Sequence, residues 1–149
     1  IEHNTIVDLC SLSGGGIGIF VGDYSGGVVK DNLVSHNSIS GTLMVSPSDC
    51  GGYEGSGVVL YADFRWGCAG AQEISGNEIS FNRISLVSDD PDTVDVCAIE
   101  LTDSRADPDL EPVIFDNTVV KNDCRGSASG IVLTPQDLEE CNAMDSNRV

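Results

Sequence analysis

The stretch that decides the fold is Asn77-Glu-Ile79-Ser-Phe-Asn82-Arg-Ile84, in which each of two asparagines stands two positions before an apolar residue. The unit occurs three more times, as Asn32-Leu-Val34-Ser-His-Asn37-Ser-Ile39, Asn117-Thr-Val119-Val-Lys-Asn122-Asp-Cys124 and Asn142-Ala-Met144-Asp-Ser-Asn147-Arg-Val149. The opening Asn4-Thr-Ile6 reads as a fifth copy, in which Leu9 replaces the second asparagine. Recurrence of one short unit along a whole chain predicts a solenoid.

A second recurring segment lies between these units and begins with a small residue. Its copies are Gly16-Ile17-Gly18-Ile19, Gly57-Val58-Val59-Leu60, Ala98-Ile99-Glu100-Leu101 and Gly130-Ile131-Val132-Leu133. Because successive side chains of a strand point to opposite faces, the branched residues of each copy share one face. We therefore predict three inward rows: Ile17/Val58/Ile99/Ile131, Ile19/Leu60/Leu101/Leu133 and Ile6/Val34/Ile79/Val119/Met144.

The spacing of the units predicts one domain of stacked coils. Their first asparagines lie at positions 4, 32, 77, 117 and 142, which gives intervals of 28, 45, 40 and 25 residues. We expect coils at about 1–28, 29–73, 74–113 and 114–138 with a partial coil at 139–149. The unequal intervals predict loop insertions at 46–56, 64–72, 85–96 and 104–112. Because no stretch keeps a helical period between caps, the predicted class is all-β.

The repeat resembles the right-handed parallel β-helix repeats of the pectate-lyase-like superfamily. The resemblance is carried by the Asn-x-apolar units and the Gly-Ile-x-Leu strands, and it covers essentially the whole chain. It implies a right-handed parallel β-helix of about four coils plus a partial coil, without evident caps. Proteins with such repeats include polysaccharide lyases, hydrolases and epimerases, phage tailspikes and surface adhesins. The resemblance therefore specifies a fold more closely than a function.

The recurring asparagines are interpreted as structural. A side-chain amide carries both donors and an acceptor, so amides stacked in successive coils can bond to one another and to the turn backbone. Asparagine also tolerates the left-handed conformation that a sharp corner needs. The alternative is a row of ligand-binding amides, which we consider the weaker interpretation.

The charge of the chain excludes several partners. Its formal net charge is −17, from 24 acidic and 7 basic residues. Nucleic acids and anionic membrane surfaces need clustered Lys and Arg, so neither is expected as a partner. No run approaches the 18 apolar residues of a membrane-spanning segment, so we expect no membrane insertion.

The chain has six cysteines, at positions 10, 50, 68, 97, 124 and 141, and no CxxC pair. An even count without metal-ligand spacing favours two or three disulfides, and hence a secreted, extracellular or cell-surface protein. The alternative is that some are buried small hydrophobes. Cys124 stands where other units carry Ile39, Ile84 and Val149, so we expect it to point inward.

The candidate functional residues follow the Gly-Ile-x-Leu strands. Asp63-x-Arg65 and Asp103-x-Arg105 fall at nearly the same place in adjacent coils, about one strand spacing apart. Asp23 and Asp137 lie at similar places in the flanking coils, so we predict a stacked column of four aspartates beside the two arginines. The expected ligand-binding set is Asp23, Tyr24, Tyr61, Asp63, Arg65, Trp66, Asp103, Arg105 and Asp107.

Three functions remain open for this column. Carboxylates in pairs can act as acid and base in glycoside hydrolysis. They can also hold Ca²⁺ on a uronate while an arginine takes its C5 proton, as a lyase or C5-epimerase requires. The aromatic residues can instead bind a polysaccharide or cell-surface glycan without catalysis. The simplest alternative is that each Asp-x-Arg is a surface ion pair.

A weaker metal candidate is the acidic stretch with Asp89, Asp90, Asp92 and Asp95. These residues offer the hard oxygen ligands that Ca²⁺ prefers, but a solvated, mutually repelling loop is the favoured explanation. No cofactor is required by the sequence, and Ca²⁺ is the one metal that it suggests.

We therefore predict an extracellular β-helix surface module, glycan-facing or structural. The alternative is a polysaccharide-active enzyme, namely a lyase, C5-epimerase or hydrolase of an acidic polysaccharide, or a fragment of one. Both ends cut through an asparagine unit, which predicts a longer protein or head-to-tail self-association through uncapped coil ends.

Overall fold

The computed structural model describes residues 1–9, 17–23, 27–43, 55–62, 73–88, 96–103, 114–126, 129–135 and 144–145. All regular structure in these ranges is β-strand. The strands are β1 (Thr5–Leu9), β2 (Ile17–Asp23), β3 (Val28–Lys30), β4 (Leu33–Ser35), β5 (Ser38–Leu43), β6 (Gly55–Ala62), β7 (Glu73–Ser75), β8 (Glu78–Ser80), β9 (Arg83–Ser88), β10 (Val96–Asp103), β11 (Ile114–Phe115), β12 (Thr118–Val120), β13 (Asp123–Arg125), β14 (Ser129–Pro135) and β15 (Met144–Asp145).

The strands form four parallel sheets that the chain visits in a fixed order. Sheet 1 contains β1, β5, β9 and β13, sheet 2 contains β2, β6, β10 and β14, sheet 3 contains β3, β7, β11 and β15, and sheet 4 contains β4, β8 and β12. Each strand pairs with the strand four places further along the chain. This confirms an all-β chain of parallel strands and is consistent with a β-solenoid. One passage through the sheets is called a coil below.

Asparagines stack at two corners of every described coil. The long ladder, between sheets 4 and 1, contains Asn4, Asn37, Asn82 and Asn122, and the short ladder, between sheets 3 and 4, contains Asn32, Asn77 and Asn117. In both ladders the backbone N–H and the side-chain Nδ2 of one asparagine donate to Oδ1 of the next, over 2.9 to 3.1 Å. The structural interpretation of the asparagines is thereby confirmed.

The left-handed conformation belongs to the residue before each ladder asparagine, not to the asparagine itself. Positive φ values of 53 to 64° occur at all seven of these preceding positions: His3, Asp31, His36, Gly76, Phe81, Asp116 and Lys121. Six of the seven are not glycine, although a left-handed residue with a Cβ costs about 1–2 kcal/mol. The expectation of left-handed asparagines was wrong. The asparagine side chain instead bonds across the bend made by its predecessor.

The opening asparagine belongs to the second half of the repeating unit. Ile6 pairs with Ile39 in sheet 1, and Asn4 donates to Asn37, so Leu9 does not replace a second asparagine. The prediction that put Ile6 in one row with Val34 was therefore wrong, because the two halves of the unit look alike. Met144 likewise pairs with Ile114 in sheet 3 rather than with Val119.

The core lies inside the four sheets and consists mainly of branched aliphatic side chains. Its fully buried members include Ile39, Leu60, Ile74, Ile79, Ile84, Leu86, Ile99, Leu101 and Ile114. Burial of such residues contributes about 1.5–3 kcal/mol each. The predicted rows of sheet 2 hold for its later strands, where Val58 pairs with Ile99 and Leu60 with Leu101.

The first strand of sheet 2 is shifted by two residues from its predicted register. Ile17 pairs with Ser56, and Ile19 is the partner of Val58. A shift of two keeps the same face inward, so the core is unaffected. Gly18 thus occupies in β2 the place that Gly57 has in β6. A Cβ added at Gly57 would lie 2.6 Å from the Ala98 carbonyl oxygen in β10. Ile131 keeps its predicted row in the edge strand β14 but is 37% exposed.

All chain segments between the described ranges join a strand of sheet 2 to a strand of sheet 1 or sheet 3. The corners next to sheet 4 are tight in every described coil, because each ladder asparagine and its left-handed predecessor make the whole bend. The predicted insertion at 85–96 was partly wrong, since β9 continues to Ser88 and β10 begins at Val96. The rest of the insertions lie outside the described residues or at their edges.

We expect Asn82→Ala to lower the free energy of unfolding by at least about 2 kcal/mol. It removes the acceptor of two Asn37 donors and the donor to the Val34 carbonyl, all buried, and each unpaired buried group costs about 1–3 kcal/mol.

Urea denaturation of Asn82→Ala and of Asn4→Ala tests this expectation. Asn4 lies at the exposed start of the long ladder, so water can replace its partners, and we expect a loss below about 1 kcal/mol. Equal losses for the two variants would contradict the account.

Candidate functional site

Three of the predicted site residues lie at or near the ends of sheet 2 strands. Because its strands are parallel, the carboxyl ends of β2, β6, β10 and β14 lie side by side. Asp23 and Asp103 end β2 and β10, Tyr61 is the next-to-last residue of β6, and the other predicted ligands follow these ends in the chain. Tyr24, Asp63, Arg65, Trp66, Arg105 and Asp107 lie outside the described residues, as does Asp137.

The register of sheet 2 does not line up the aspartates as one column. Asp23 and Asp103 both pair with Ala62, whose side chain is buried in the core, while Asp63 follows one residue later. Asp103 pairs with Pro135 on its other side, so Asp137 comes two residues after the shared position. The predicted neighbours Asp63 and Asp103 are therefore offset by one residue.

An Asp-x-Arg unit within the described residues forms an ion pair on the surface. Arg125 Nε donates to Asp123 Oδ1 over 2.8 Å, and both side chains are largely exposed. This hydrogen bond lowers the pKa of the Asp123 carboxyl and raises the pKa of Arg125. The pair favours the simplest interpretation of the same pattern at Asp63-x-Arg65 and Asp103-x-Arg105. Those units alone therefore do not define a site.

The outward face of sheet 2 carries an aromatic pair. Core residues Val58, Leu60 and Ala62 point inward, so Val59 and Tyr61 point outward. The rings of Phe20 and Tyr61, from adjacent strands, lie 6.0 Å apart between centroids and are tilted by 45°. Both side chains are half-buried, which leaves part of the pair accessible.

A buried polar pair lies on the same face as the aromatic residues. Glu100 alternates with the core residues Ile99 and Leu101, and its side chain is only 4% exposed. Ser56, also buried, donates its hydroxyl proton to Glu100 Oε2 over 2.5 Å. The sequence offered a signal for this position, because glutamate replaces an apolar residue in the third copy of the strand motif. Our sequence interpretation did not use it.

A second site feature was missed by the sequence interpretation. The four left-handed residues that precede the long ladder form a corner column of His3, His36, Phe81 and Lys121. The rings of His3 and His36 and those of His36 and Phe81 stack with centroids 5.1 Å apart, and Lys121 Nζ lies 4.9 Å from the Phe81 centroid. These residues are 33, 45 and 40 positions apart, so only the correct coil register brings them together.

A cavity opens at the edge of the first coil. Its volume is about 210 Å³, and it is lined by Ile1, Phe20, Val21, Gly22, Val29, Asn32 and Val34. The lining residues come from edge strands β2, β3 and β4 or from positions next to them. This end of the stack therefore presents core side chains that no further coil covers within the described residues.

Cys124 is a free thiol that packs against the core. It pairs with Ile84 in sheet 1, as its place in the repeat predicted. The expectation of three disulfides was therefore wrong, because a full set requires Cys124. The side chains of the other five cysteines lie outside the described part. Burial, and secondarily the charge of Asp123, raises the pKa of the Cys124 thiol.

The weak metal candidates Asp89, Asp90, Asp92 and Asp95 lie outside the described residues. The described part of the chain contains no helix that is long and apolar enough to cross a membrane. Comparisons of the chain with family models, with curated proteins and with solved structures found no match.

We expect iodoacetamide to alkylate Cys124 much more slowly in the native protein at pH 8 than in urea. Partial burial restricts the approach of the reagent, and the raised pKa lowers the thiolate fraction. Mass spectrometry of the Cys124 peptide measures both rates.

The same raised pKa predicts that stability falls as pH rises through the unfolded value near 9.0, since the unfolded thiol then ionises first. Cys124→Val keeps the inward row and should remove this part of the pH dependence. Native labelling as fast as labelling in urea would contradict the burial of Cys124.

Proposed function

We propose that this chain is a secreted right-handed parallel β-helix module of the pectate-lyase-like kind, with about four coils and a partial coil, that binds a polysaccharide or cell-surface glycan along sheet 2. The observation that carries the proposal is the half-buried Phe20–Tyr61 pair on the outward face of that sheet. An extracellular location is part of the proposal. It is supported by the resemblance and by the six cysteines, although Cys124 is free.

The aromatic pair suits a sugar ring for a physical reason. An aromatic face is apolar and carries a negative quadrupole, so it packs well against the C–H face of a sugar. Binding sites usually combine such apolar walls with a few fixed polar groups. Ser56 and Glu100 lie on the same face and are already ordered by their mutual hydrogen bond. They provide oriented polar atoms without further ordering cost.

The connections of sheet 2 also favour this face. Every segment between the described ranges enters or leaves this sheet, while the corners beside sheet 4 are tight. Long insertions on a solenoid are the usual carriers of binding residues. Tyr24, Trp66 and both predicted arginines, Arg65 and Arg105, fall in segments that follow sheet 2 strands. They are proposed to complete the glycan site.

The enzyme alternative is favoured by one observation, the burial of Glu100. A buried carboxyl on a binding face is a candidate acid, but hydrolysis needs a second carboxyl about 5–10 Å away. Within the described side chains of sheet 2, Glu100 is the sole acidic residue. A hydrolase would therefore need Asp63 or Asp103 as the partner, and a lyase or epimerase would need Ca²⁺ with Arg65 or Arg105.

The decisive experiment measures binding and turnover on a panel of neutral and uronate polysaccharides, with Ca²⁺ and with EDTA. We expect Tyr61→Ala to weaken glycan binding about tenfold, which corresponds to about 1.4 kcal/mol. Tyr61→Phe should retain binding because it keeps the ring. Phe81→Ala changes an exposed aromatic residue of the corner column, between sheets 4 and 1 and not on sheet 2, and should leave binding unchanged.

Unsaturated products that form only with Ca²⁺ would favour the lyase, and reducing ends formed in EDTA would favour the hydrolase. Absence of both binding and turnover by the folded protein would contradict the glycan proposal and its enzyme alternative.

A second proposal is that coils of two copies stack head to tail. It is favoured by the cavity at the first coil, which several aliphatic side chains line, and by the 37% exposure of Ile131 in the edge strand at the other end of sheet 2. Sedimentation velocity should then show association that increases with concentration, and Val21→Asp in the cavity should reduce it. A wild-type monomer at every concentration would contradict this proposal.

A further inference from the structure

Both histidines of the chain lie in contact at the start of the corner column. The sequence contains two histidines, and their rings stack with centroids 5.1 Å apart and an interplanar angle of 26°. Glu2 adjoins them, because it forms a parallel bridge with Ser35 and Ser35 immediately precedes His36. The ligand atoms of Glu2, His3 and His36 all lie within 4.8 Å of one another.

We propose that Glu2, His3 and His36 bind a divalent transition-metal cation of the Zn²⁺ type. Two imidazoles and one carboxylate are a ligand set that suits zinc, copper or nickel, whereas calcium prefers six or more oxygen ligands. Two ligands of one tetrahedral zinc lie about 3.4 Å apart, given metal–ligand distances of about 2.0–2.1 Å. Since all three side chains are exposed, small rotations close the remaining gap.

A hydrogen-bond chain orients His36 for this role. Ser35 Oγ donates its one proton to Glu2 Oε1 over 2.8 Å, so it can only accept from His36 Nδ1, which lies 3.1 Å away. Nδ1 of neutral His36 therefore carries the proton, and Nε2 has the free lone pair that a metal needs. Ser35 is buried and thus acts as a fixed second-sphere partner, the arrangement that holds metal-bound histidines in place.

The ladder fixes the backbone positions of the two histidines relative to each other. His3 and His36 have φ values of 58° and 54°, and each directly precedes an asparagine of the long ladder. Asn4 donates to Asn37 Oδ1 through both its backbone N–H and its side chain, over 3.0 Å in each case. The same bonds that set the register of the first coils therefore also bring the backbones of His3 and His36 together.

The surrounding charge favours a cation. The chain carries a net charge of −17, which attracts divalent ions to its surface. Lys121 is the basic member of the corner column, and Phe81 separates it from His36. A bound cation would join Glu2 and His3 of one coil to His36 of the next, and so would stabilise the first coil against fraying.

The test adds Zn²⁺ to the tag-free, chelator-treated chain labelled with ¹⁵N, and follows the imidazole nitrogens by NMR. Because the chain has two histidines, the spectrum contains two ring systems. We expect both rings to shift together and to saturate at one equivalent, with the larger shift of His36 at Nε2. Zinc bound elsewhere, for example on thiols, would leave both rings unshifted and would overturn the proposal.

Variants at left-handed positions give matched controls, because asparagine tolerates that conformation. His3→Asn and His36→Asn should weaken zinc binding measured by calorimetry at least tenfold, and Glu2→Gln about tenfold. Lys121→Asn, at a φ of 56° in the same column but separated from His36 by the Phe81 ring, should bind zinc within twofold of wild type. Wild-type affinity in His36→Asn, or equal weakening by Lys121→Asn, would refute the site.

Discussion

The hydrogen bond from one corner asparagine to the next is the interaction on which the rest of the structure depends. In the buried part of the long ladder, Asn82 Oδ1 accepts from the backbone and side chain of Asn37, while its Nδ2 donates to Asn122 Oδ1 and to the Val34 carbonyl. Each amide is therefore fully paired although it is 1–2% exposed. The strands joined by this ladder have no stable alternative register, because a shift of one residue would leave several buried polar groups unpaired.

The ladder also explains how unfavourable corner residues are tolerated. Phe81 and Lys121 adopt left-handed backbone conformations that neither residue type favours, and the asparagine that follows each of them holds the bend. Because the bend takes a single residue, the side chains at that residue stack in register from coil to coil. The corner column and its histidine pair are consequences of this geometry. The connections of sheet 2 lie outside the described residues, and along the sequence they vary in length.

Much of the fold was predictable from the sequence because the asparagines and the core rows repeat. The errors arose where the repeat is ambiguous. Asn4-Thr-Ile6 matches either half of the unit, and only its partner Asn37 decides between them. Gly16-Ile17-Gly18-Ile19 contains the strand motif in two overlapping registers, and the close approach of the Gly57 carbonyl at Gly18 selects the second.

The candidate site was less predictable for two physical reasons. The contact between His3 and His36 depends on the pairing of Asn4 with Asn37, which the sequence left ambiguous. In addition, the residues that precede the ladder asparagines differ from coil to coil, so no sequence pattern predicts that their side chains stack. The sequence pointed to the ends of the sheet 2 strands through Tyr61 and the aspartates, but those aspartates are offset in register, and a matching Asp-x-Arg unit is a surface ion pair. Most of the predicted ligands lie outside the described residues, so their roles stay predictions.

Hydrogen exchange of the ladder amides tests the central claim most directly. If the ladders set the register, the backbone amide of Asn37 and the side-chain amides of Asn77 and Asn82 should exchange only on global unfolding, with the same dependence on denaturant as core amides such as that of Leu101. Exchange of these side-chain amides at the rate of free asparagine, while the core amides stay protected, would contradict the claim.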